Sequence, residues 1–351
     1  MITEHTRYML RCIELAKKGV GLVAPNPMVG AVLVYMDRII GEGYHQQFGQ
    51  VHAEINCINS VKYEDKPLIE KSTLYVSLEP CVHVGKTPPC ADLIIKHKIP
   101  KVVIGCKDPF EKVDGKGIEQ LKNAGIEVIV GIAEKEAIDL NKHFFIFHTN
   151  KRPFIILKWA QSRNHKIANA DYSRVQITND YTNSLVHRWR SEEASIMVGT
   201  NTALQDNPAL NVRYWTGKNP VRLVVDMNLR LPHDLKIFDR QQRTIIFNST
   251  RQEEEENLLF YKIEKSGSLV TEIMKACYEM NIQSVLIEGG NKLAESFINE
   301  GAWDEARVIE NTSMIINNGL RAPVLTNHHL IDTETISTDL ISYYKNNLAK
   351  S

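Results

Sequence analysis

His52, Glu54, Cys81 and Cys90 have the side chains and the spacing of a catalytic zinc site. They lie in Val51-His52-Ala53-Glu54 and in Glu79-Pro80-Cys81-Val82-His83-Val84-Gly85-Lys86-Thr87-Pro88-Pro89-Cys90. One imidazole and two thiolates supply three protein ligands, which leaves a tetrahedral Zn2+ with one position for water. A zinc ion held this way lowers the pKa of that water toward neutrality. Glu54, outside the ligand set, is placed to move protons between the water and a leaving group. The expected chemistry is hydrolytic. A structural zinc with His83 as a fourth ligand is the competing reading. Glu54 and the glycine- and proline-rich insert are better explained by a substrate pocket.

The elements that must position these groups follow from hydrophobic patterning. Apolar residues recur at helical spacing over 6–18, and the run ends at Gly19. Strands are expected at 28–35, 73–78, 101–106 and 126–130. Helices are expected at 52–58, from Cys90 onward, around 117–124, and as one long element over 134–147. Strands alternating with helices predict an α/β/α sandwich. Both ligand segments then open helices, whose dipoles favour thiolate and hydroxide.

Thr149-Asn150-Lys151-Arg152-Pro153 is short and polar and ends in proline, so it reads as a boundary between domains 1–148 and 149–351. Beyond it, strands are expected at 153–159, 194–198, 221–225, 244–247 and 284–287, with helices near 181–190, 271–280 and 292–299. This is a second α/β unit. The run Glu253-Glu254-Glu255-Glu256 reads as a solvated loop or helix face. The last ~25 residues are polar and too weakly patterned to place.

Composition narrows the substrate class. The chain has 351 residues, long for one core and comfortable for two, with formal net charge zero. No bulk field draws it to nucleic acid or to a membrane surface. The amino terminus lacks an apolar signal core and no run approaches spanning length, so a cytoplasmic location is expected. Among six cysteines, Cys12, Cys57, Cys106 and Cys277 read as buried small hydrophobes and not as a disulfide framework.

His-x-Glu followed by Pro-Cys-x-x-Cys is a signature of zinc deaminases acting on nucleobases. Here eight residues separate the cysteines instead of two. Asn26-Pro27-x-Val29-Gly30, Gly41-x-Gly43-Tyr44-His45, His52-Ala53-Glu54 and Leu78-Glu79-Pro80-Cys81-x-His83-x-Gly85-Lys86-Thr87-Pro88-Pro89-Cys90 occur in order. With that long cysteine spacing, the set resembles the deaminase half of the bifunctional riboflavin-biosynthesis deaminase/reductases, the RibD family. The resemblance implies a cytidine-deaminase-like fold in which Asn26, His45, His83, Lys86 and Thr87 line a pyrimidine and phosphate pocket. Asp108-Pro109 resembles the start of a further family segment, but Phe110 stands where asparagine is usual.

The second half is similar to the family's reductase domain, which resembles dihydrofolate reductase and uses NADPH. The likeness rests on Lys158-Trp159-Ala160-Gln161-Ser162, on Arg190, on the run from Val198 to Arg213, and on Ile287-Glu288-Gly289-Gly290-Asn291. It implies cofactor contacts from Ala160, Thr202, Asp206, Gly290 and Asn291. It implies substrate contacts from Lys158, Arg190, Leu210, Arg213 and Glu288. Gly289-Gly290 between a strand and a helix lets backbone N–H groups approach a cofactor phosphate. Arg190 and Arg213 are able to clamp a phosphorylated sugar bidentately. Four positions depart from the pattern: Asn164-His165 replaces Asp-Gly, Gln176 replaces a common tryptophan, and Arg174 replaces a small polar residue.

The expectation is therefore zinc-dependent deamination of a small phosphorylated diaminopyrimidine, followed by NADPH reduction of its ribosyl group to ribityl. Neither nucleic acid nor membrane is an expected partner, and a homo-oligomer is the expected assembly. The alternative is a zinc deaminase of another nucleobase, RNA included, carrying a degenerate, non-catalytic reductase-like domain.

Overall fold

The structure, a computed structural model, describes residues 4–82, 88–171, 173, 175–264 and 266–348. The chain divides into two compact units, Met1–Lys151 and Arg152–Ser351. The last helix of the first unit runs through Asn150 and stops at Lys151, whose φ of 54° is left-handed.

Among the described residues the first unit runs α1 (Glu4–Ala16), β1 (Gly30–Tyr35), β2 (Arg38–Tyr44), α2 (Ala53–Asn59), β3 (Thr73–Leu78), α3 (Cys90–Lys96), β4 (Lys101–Cys106), α4 (Lys116–Asn123), β5 (Glu127–Val130), α5 (Glu134–Leu140) and α6 (Lys142–Asn150). Its sheet has the order β2-β1-β3-β4-β5. The β1–β2 and β1–β3 pairs are antiparallel, and β3–β4 and β4–β5 are parallel. Strand alternation sorts the side chains into two cores. Ala31, Leu33, Leu74, Val76, Val102 and Ile104 pack with Ala53 and Cys57 of α2, Ile94 of α3 and Leu121 of α4. Val32, Val34, Tyr75 and Val103 face the other way, against Tyr8, Met9, Cys12 and Leu15 of α1 and Ala137 of α5. This is the expected α/β/α sandwich.

Two sequence expectations needed correction here. The strand β2 is absent from the patterned set, because Arg-Ile-Ile-Gly-Glu-Gly-Tyr mixes charges and glycines with its apolar residues. It pairs with β1 across Met36-Asp37, both at positive φ (46° and 59°). Tight hairpin turns of this hand are usually announced by Asn-Gly or Asp-Gly, which are missing. The long helix over 134–147 is two helices broken at Asn141. The buried Asn141 side chain accepts the Met28 N–H and donates to the Met28 carbonyl, both at 2.8 Å. It thereby ties the break to the segment leading into β1.

The second unit continues with β6 (Phe154–Ser162), β7 (Lys166–Asn169), α7 (Asp180–Glu192), β8 (Ser195–Gly199), α8 (Thr200–Asp206), β9 (Val221–Val225), β10 (Thr244–Asn248), β11 (Glu253–Glu255), β12 (Leu258–Lys262), α9 (Leu269–Glu279), β13 (Ser284–Glu288), α10 (Asn291–Asn299), β14 (Glu305–Asn311), β15 (Gly319–Arg321), β16 (His328–Ile336) and β17 (Asp339–Asn346). Ten strands form one sheet in the order β11-β12-β10-β9-β8-β13-β6-β14-β17-β16. From β12 to β14 neighbouring strands are parallel, so their carboxyl ends share one edge. Being covered on both faces, these strands read as near-continuous apolar runs. Helices α9 and α10 cover one face through Val270, Ile273, Cys277, Leu293 and Phe297. Ala203 of α8 and Leu210 pack on the other with Ile196, Val198 and Val224.

Three of the four residues of the acidic run lie in a strand, and Glu256 lies in the turn that follows. Glu253–Glu255 forms the edge strand β11, antiparallel to β12, with its carboxylates paired to Arg251, Arg243 and Arg240. The unplaced carboxy-terminal stretch holds the hairpin β16–β17, docked on β14 through β17. Residues of β16 are exposed along nearly the whole strand, so no alternating apolar face marks it. No described helix is long and apolar enough to cross a membrane.

Candidate active sites

Close backbone packing sets the position of α2. A Cβ on Gly43 would lie 2.2 Å from the Cys57 nitrogen and 2.6 Å from the Ala53 carbonyl oxygen, so α2 lies directly on β2 there. Asn56 adds a side-chain hydrogen bond to the Tyr44 carbonyl at 2.8 Å. His52 sits at the cap position of α2, and Glu54 is buried in its first turn. Cys90 is the first residue of α3, and Cys81 follows Glu79-Pro80 after β3. The His52 Nδ1 is 3.5 Å from Cys81 Sγ and 3.3 Å from Cys90 Sγ. One ligand atom from each of the three residues lies within 4.8 Å of the others. These separations match the edges of a tetrahedron with Zn–S near 2.3 Å and Zn–N near 2.0–2.1 Å, so the residues fit the metal. The Cys90 N–H also donates to Cys81 Sγ.

Burial pushes the Glu54 carboxyl up to about 6, assisted by the neighbouring Cys81 charge and opposed by His52. Cys81 is held low, first by its hydrogen bond with Cys90, and Cys90 is raised by sharing that site. His45 is buried, with its ring edge-on to His52 at 5.5 Å. Its Nδ1 donates to the Val51 carbonyl at 3.1 Å, so Nε2 accepts from the Asn26 amide at 3.1 Å. Desolvation lowers its pKa and keeps it neutral. Asn26, His45, His52, Glu54, Cys81 and Cys90 thus converge. His83, Lys86 and Thr87, the remaining expected pocket residues, lie outside the described residues.

Glu79, two residues before Cys81, has a role that its motif does not announce. Its buried carboxylate accepts four backbone N–H groups: Asp108 and Gly115 on Oε2, Gly117 and Ile118 on Oε1. It caps α4 from outside that helix and ties the loop after β4 to the segment bearing Cys81. Asp108 is buried in that loop, and desolvation pushes its carboxyl up to about 7. The only sequence signal for Glu79 was an acidic residue before proline in an otherwise apolar strand end.

In the second unit, Lys158 on β6 and Glu288 at the end of β13 stand side by side in register. Glu288 accepts Arg190 Nε at 2.7 Å and Nη2 at 2.8 Å, with Lys158 Nζ at 3.5 Å. Despite burial, the two cations hold Glu288 down at about 2. Burial lowers Lys158 while the Glu288 charge opposes the shift. Arg190 therefore spends its fork on Glu288 and donates Nη1 to the Asn211 carbonyl. Its guanidinium thus stands beside Glu288 and Lys158, two of the other residues expected at the substrate. Arg213 is exposed, and its guanidinium touches only the Asn211 side chain at 3.1 Å among the described hydrogen bonds.

Beyond Glu288, Gly289 and Gly290 have φ of 89° and 83°. A Cβ on Gly289 would meet Thr202 Cγ2 at 2.9 Å, and one on Gly290 would meet Thr202 Oγ1 at 3.2 Å. Thr202 on α8 is thus against the turn that opens α10. Asn291 Oδ1 is buried there without a hydrogen-bond partner among the described residues. A glycine turn, a helix start and an orphaned acceptor suit a phosphate-bearing cofactor with donor groups. Ala160 lies two residues along β6 from Lys158, Asp206 ends α8, and Leu210 is buried at φ 50°. The Asn164-His165 departure leaves its turn closed. His165 takes the left-handed conformation and its N–H donates to the Ser162 carbonyl, while Asn164 Oδ1 accepts the Ser162 hydroxyl and the Ile316 N–H. Gln176 is exposed, and Arg174 lies outside the described residues.

Residues 2–106 match the cytidine and deoxycytidylate deaminase zinc-binding region, and residues 153–315 match the RibD C-terminal domain. Riboflavin biosynthesis protein RibD of Aquifex aeolicus is 37% identical over 96% of this chain and 97% of its own length. The crystal structure of a diaminohydroxyphosphoribosylaminopyrimidine deaminase/5-amino-6-(5-phosphoribosylamino)uracil reductase from Thermotoga maritima superposes with a TM-score of 0.88 at 36% identity, covering 98% of this chain and 99% of that one. Acinetobacter baumannii RibD superposes with a TM-score of 0.88 at 32% identity, covering 98% and 99%. With a zinc-ligand triad beside a buried glutamate in one unit and a glycine turn beside a Lys–Glu–Arg cluster in the other, the chain belongs to the RibD family, the bifunctional deaminases and reductases of riboflavin biosynthesis.

Proposed function

We propose that this enzyme deaminates 2,5-diamino-6-(5-phosphoribosylamino)pyrimidin-4-one and then reduces the ribosyl group of the resulting uracil to ribityl. The observation that carries the reading is the presence, on one chain, of the His52–Cys81–Cys90 triad beside Glu54 and of the Lys158–Glu288–Arg190 cluster beside Gly289-Gly290. The two halves are read as a zinc-dependent deaminase domain, 1–148, and an NADPH-dependent reductase domain, 149–351.

In the first half His52, Cys81 and Cys90 would hold zinc, which when bound acidifies water. Glu54 takes a proton from the attacking water and delivers it to the departing nitrogen, so ammonia leaves and a carbonyl remains. Its raised pKa suits a group that must both accept and return a proton. His45, neutral and with both ring nitrogens held by Val51 and Asn26, would be a fixed wall of the pyrimidine pocket and would orient the Asn26 amide. His83, Lys86 and Thr87 complete the pocket by resemblance.

In the second half Gly290, Asn291, Thr202, Asp206 and Ala160 would hold NADPH, which supplies a hydride for the ribosyl C1′. Arg190 keeps Glu288 ionised and aimed, and Lys158 and Glu288 face the sugar. Leu210 bounds the substrate, and Arg213, with its exposed guanidinium, takes the phosphate. A cytoplasmic setting, a homo-oligomeric assembly and the absence of nucleic-acid and membrane partners belong to the same proposal. The zinc-loaded enzyme given the diaminopyrimidine phosphate and NADPH is expected to release one ammonia for each NADPH oxidised. Ammonia release with no loss of NADPH absorbance would support a degenerate second half instead.

A further inference from the structure

Residues 211–213 carry the arm that ends in Arg213, and they belong to neither helix nor strand. Side chains hold its backbone at three successive residues. Arg190 Nη1 donates to the Asn211 carbonyl at 3.2 Å, the Val212 N–H donates to Asn219 Oδ1 at 2.8 Å, and the Arg213 N–H donates to His187 Nδ1 at 2.9 Å. His187 and Arg190 are three apart on α7 and so share one face of that helix. Helix α7 therefore grips the arm at both ends, Asn211 through Arg190 and Arg213 through His187.

His187 is 4% exposed, and the Tyr214 ring meets its imidazole edge-on at 4.8 Å. An Nδ1 that accepts a backbone N–H belongs to a neutral imidazole with its proton on Nε2. Its surroundings enforce that form: burial, then the Arg190 and Arg213 charges, push the pKa down to about 4. The latch thus stands beside two cations without becoming a third.

We infer that His187 is a positioning residue for phosphate recognition in the reductase half, acting by fixing the Arg213 backbone so that its guanidinium is pre-aimed at the 5-phosphate of the substrate. The inference rests on Arg213 as the phosphate ligand. Without the Nδ1 acceptor the arm loses one of its three anchors, and the part-buried hydrogen bond of the Arg213 N–H is lost with it. Binding then has to order the arm, at a cost that falls on KM and not on the hydride step.

Steady-state NADPH oxidation by the full zinc-loaded chain tests this, using the ribosylamino-uracil with and without its 5-phosphate. H187L and H187Q, which lack an acceptor at the δ position, are expected to raise KM for the phosphorylated substrate about ten-fold with kcat within about two-fold. KM for the dephosphorylated substrate and the Kd for NADPH stay put. H187N, whose Oδ1 falls where Nδ1 was, restores KM to within about three-fold. A ten-fold rise in H187N, an unchanged KM in both H187L and H187Q, or an equal rise on both substrates would overturn the latch. R213Q separates the two claims. If it leaves the phosphate preference intact, Arg213 is not the phosphate ligand and the latch falls with it. If it abolishes the preference while H187L and H187Q do not, only the latch fails.

Discussion

Glu79→Gln perturbs the metal segment without touching a ligand. The carboxylate accepts four N–H groups, two on each oxygen, at 2.9 to 3.2 Å. The glutamine amide keeps one oxygen and turns the other into a donor, so either the Asp108 and Gly115 pair or the Gly117 and Ile118 pair faces an NH2. Hydrogen bonds to a charged acceptor are worth about 1.5–3 kcal/mol each. The charge opposite the α4 amino terminus adds about 0.3–1 kcal/mol. Losing two such bonds and the charge, less some relaxation, leaves an expected destabilisation of about 3–4 kcal/mol. In a unit of this size that is roughly 6–15 °C in melting temperature. Differential scanning calorimetry with saturating zinc reads the transition of the first unit, and competition with a chelator reads the metal. Zinc affinity is expected to fall about 10–100-fold, the usual effect of losing a group that orients a ligand segment. A transition within 1 °C of the parent and unchanged zinc affinity would refute the view that this carboxylate holds the site together.

Gly43→Ala places a methyl 2.2 Å from the Cys57 nitrogen, with only backbone to yield, so it should destabilise the first unit by about 3 kcal/mol and lower ammonia release as α2 shifts; an unchanged melting temperature contradicts that. Cys90→Ser should bring zinc per chain, measured by mass spectrometry, from near one to near zero and abolish ammonia release, while NADPH oxidation with the deaminated substrate continues. Because the folded Glu288 sits at about 2 against an ordinary 4.5, its contribution to stability is fully present above pH 4.5 and is lost as pH falls toward 2. Denaturant titrations of the second unit should therefore show a steeper acid loss in the parent than in Glu288→Gln, and parallel slopes would count against the cluster.

The metal triad could be read from residue types alone, because only a few side chains bind zinc and their spacing survives without coordinates. So could the buried strands, whose apolar runs in β3, β4 and β9 leave little ambiguity. What escaped was whatever depends on a distant partner. Strand β2 becomes a strand because β1 pairs with it, and β16 because β17 does. Asn141 ends a helix because its side chain finds the Met28 backbone. The Glu288 carboxylate in the fork of Arg190 comes from a strand 98 residues away, which spacing along the chain does not announce. Glu79 and His187 act on backbone N–H groups of residues 26 or more positions away, and no local pattern announces such bonds. The resemblance to a known family supplied the pocket roles that spacing alone left open.

The central claim is that two separate chemistries occupy the two halves, with Glu54 moving the proton in the first. Glu54→Gln keeps the shape and all three ligands while removing the titrating group. Measured on the zinc-loaded chain, ammonia release from the diaminopyrimidine phosphate is predicted to fall at least ~100-fold with zinc content unchanged. NADPH oxidation with the deaminated substrate should stay at the parental rate. Ammonia release within a few-fold of the parent, or loss of both activities in a folded zinc-bound protein, would contradict the account.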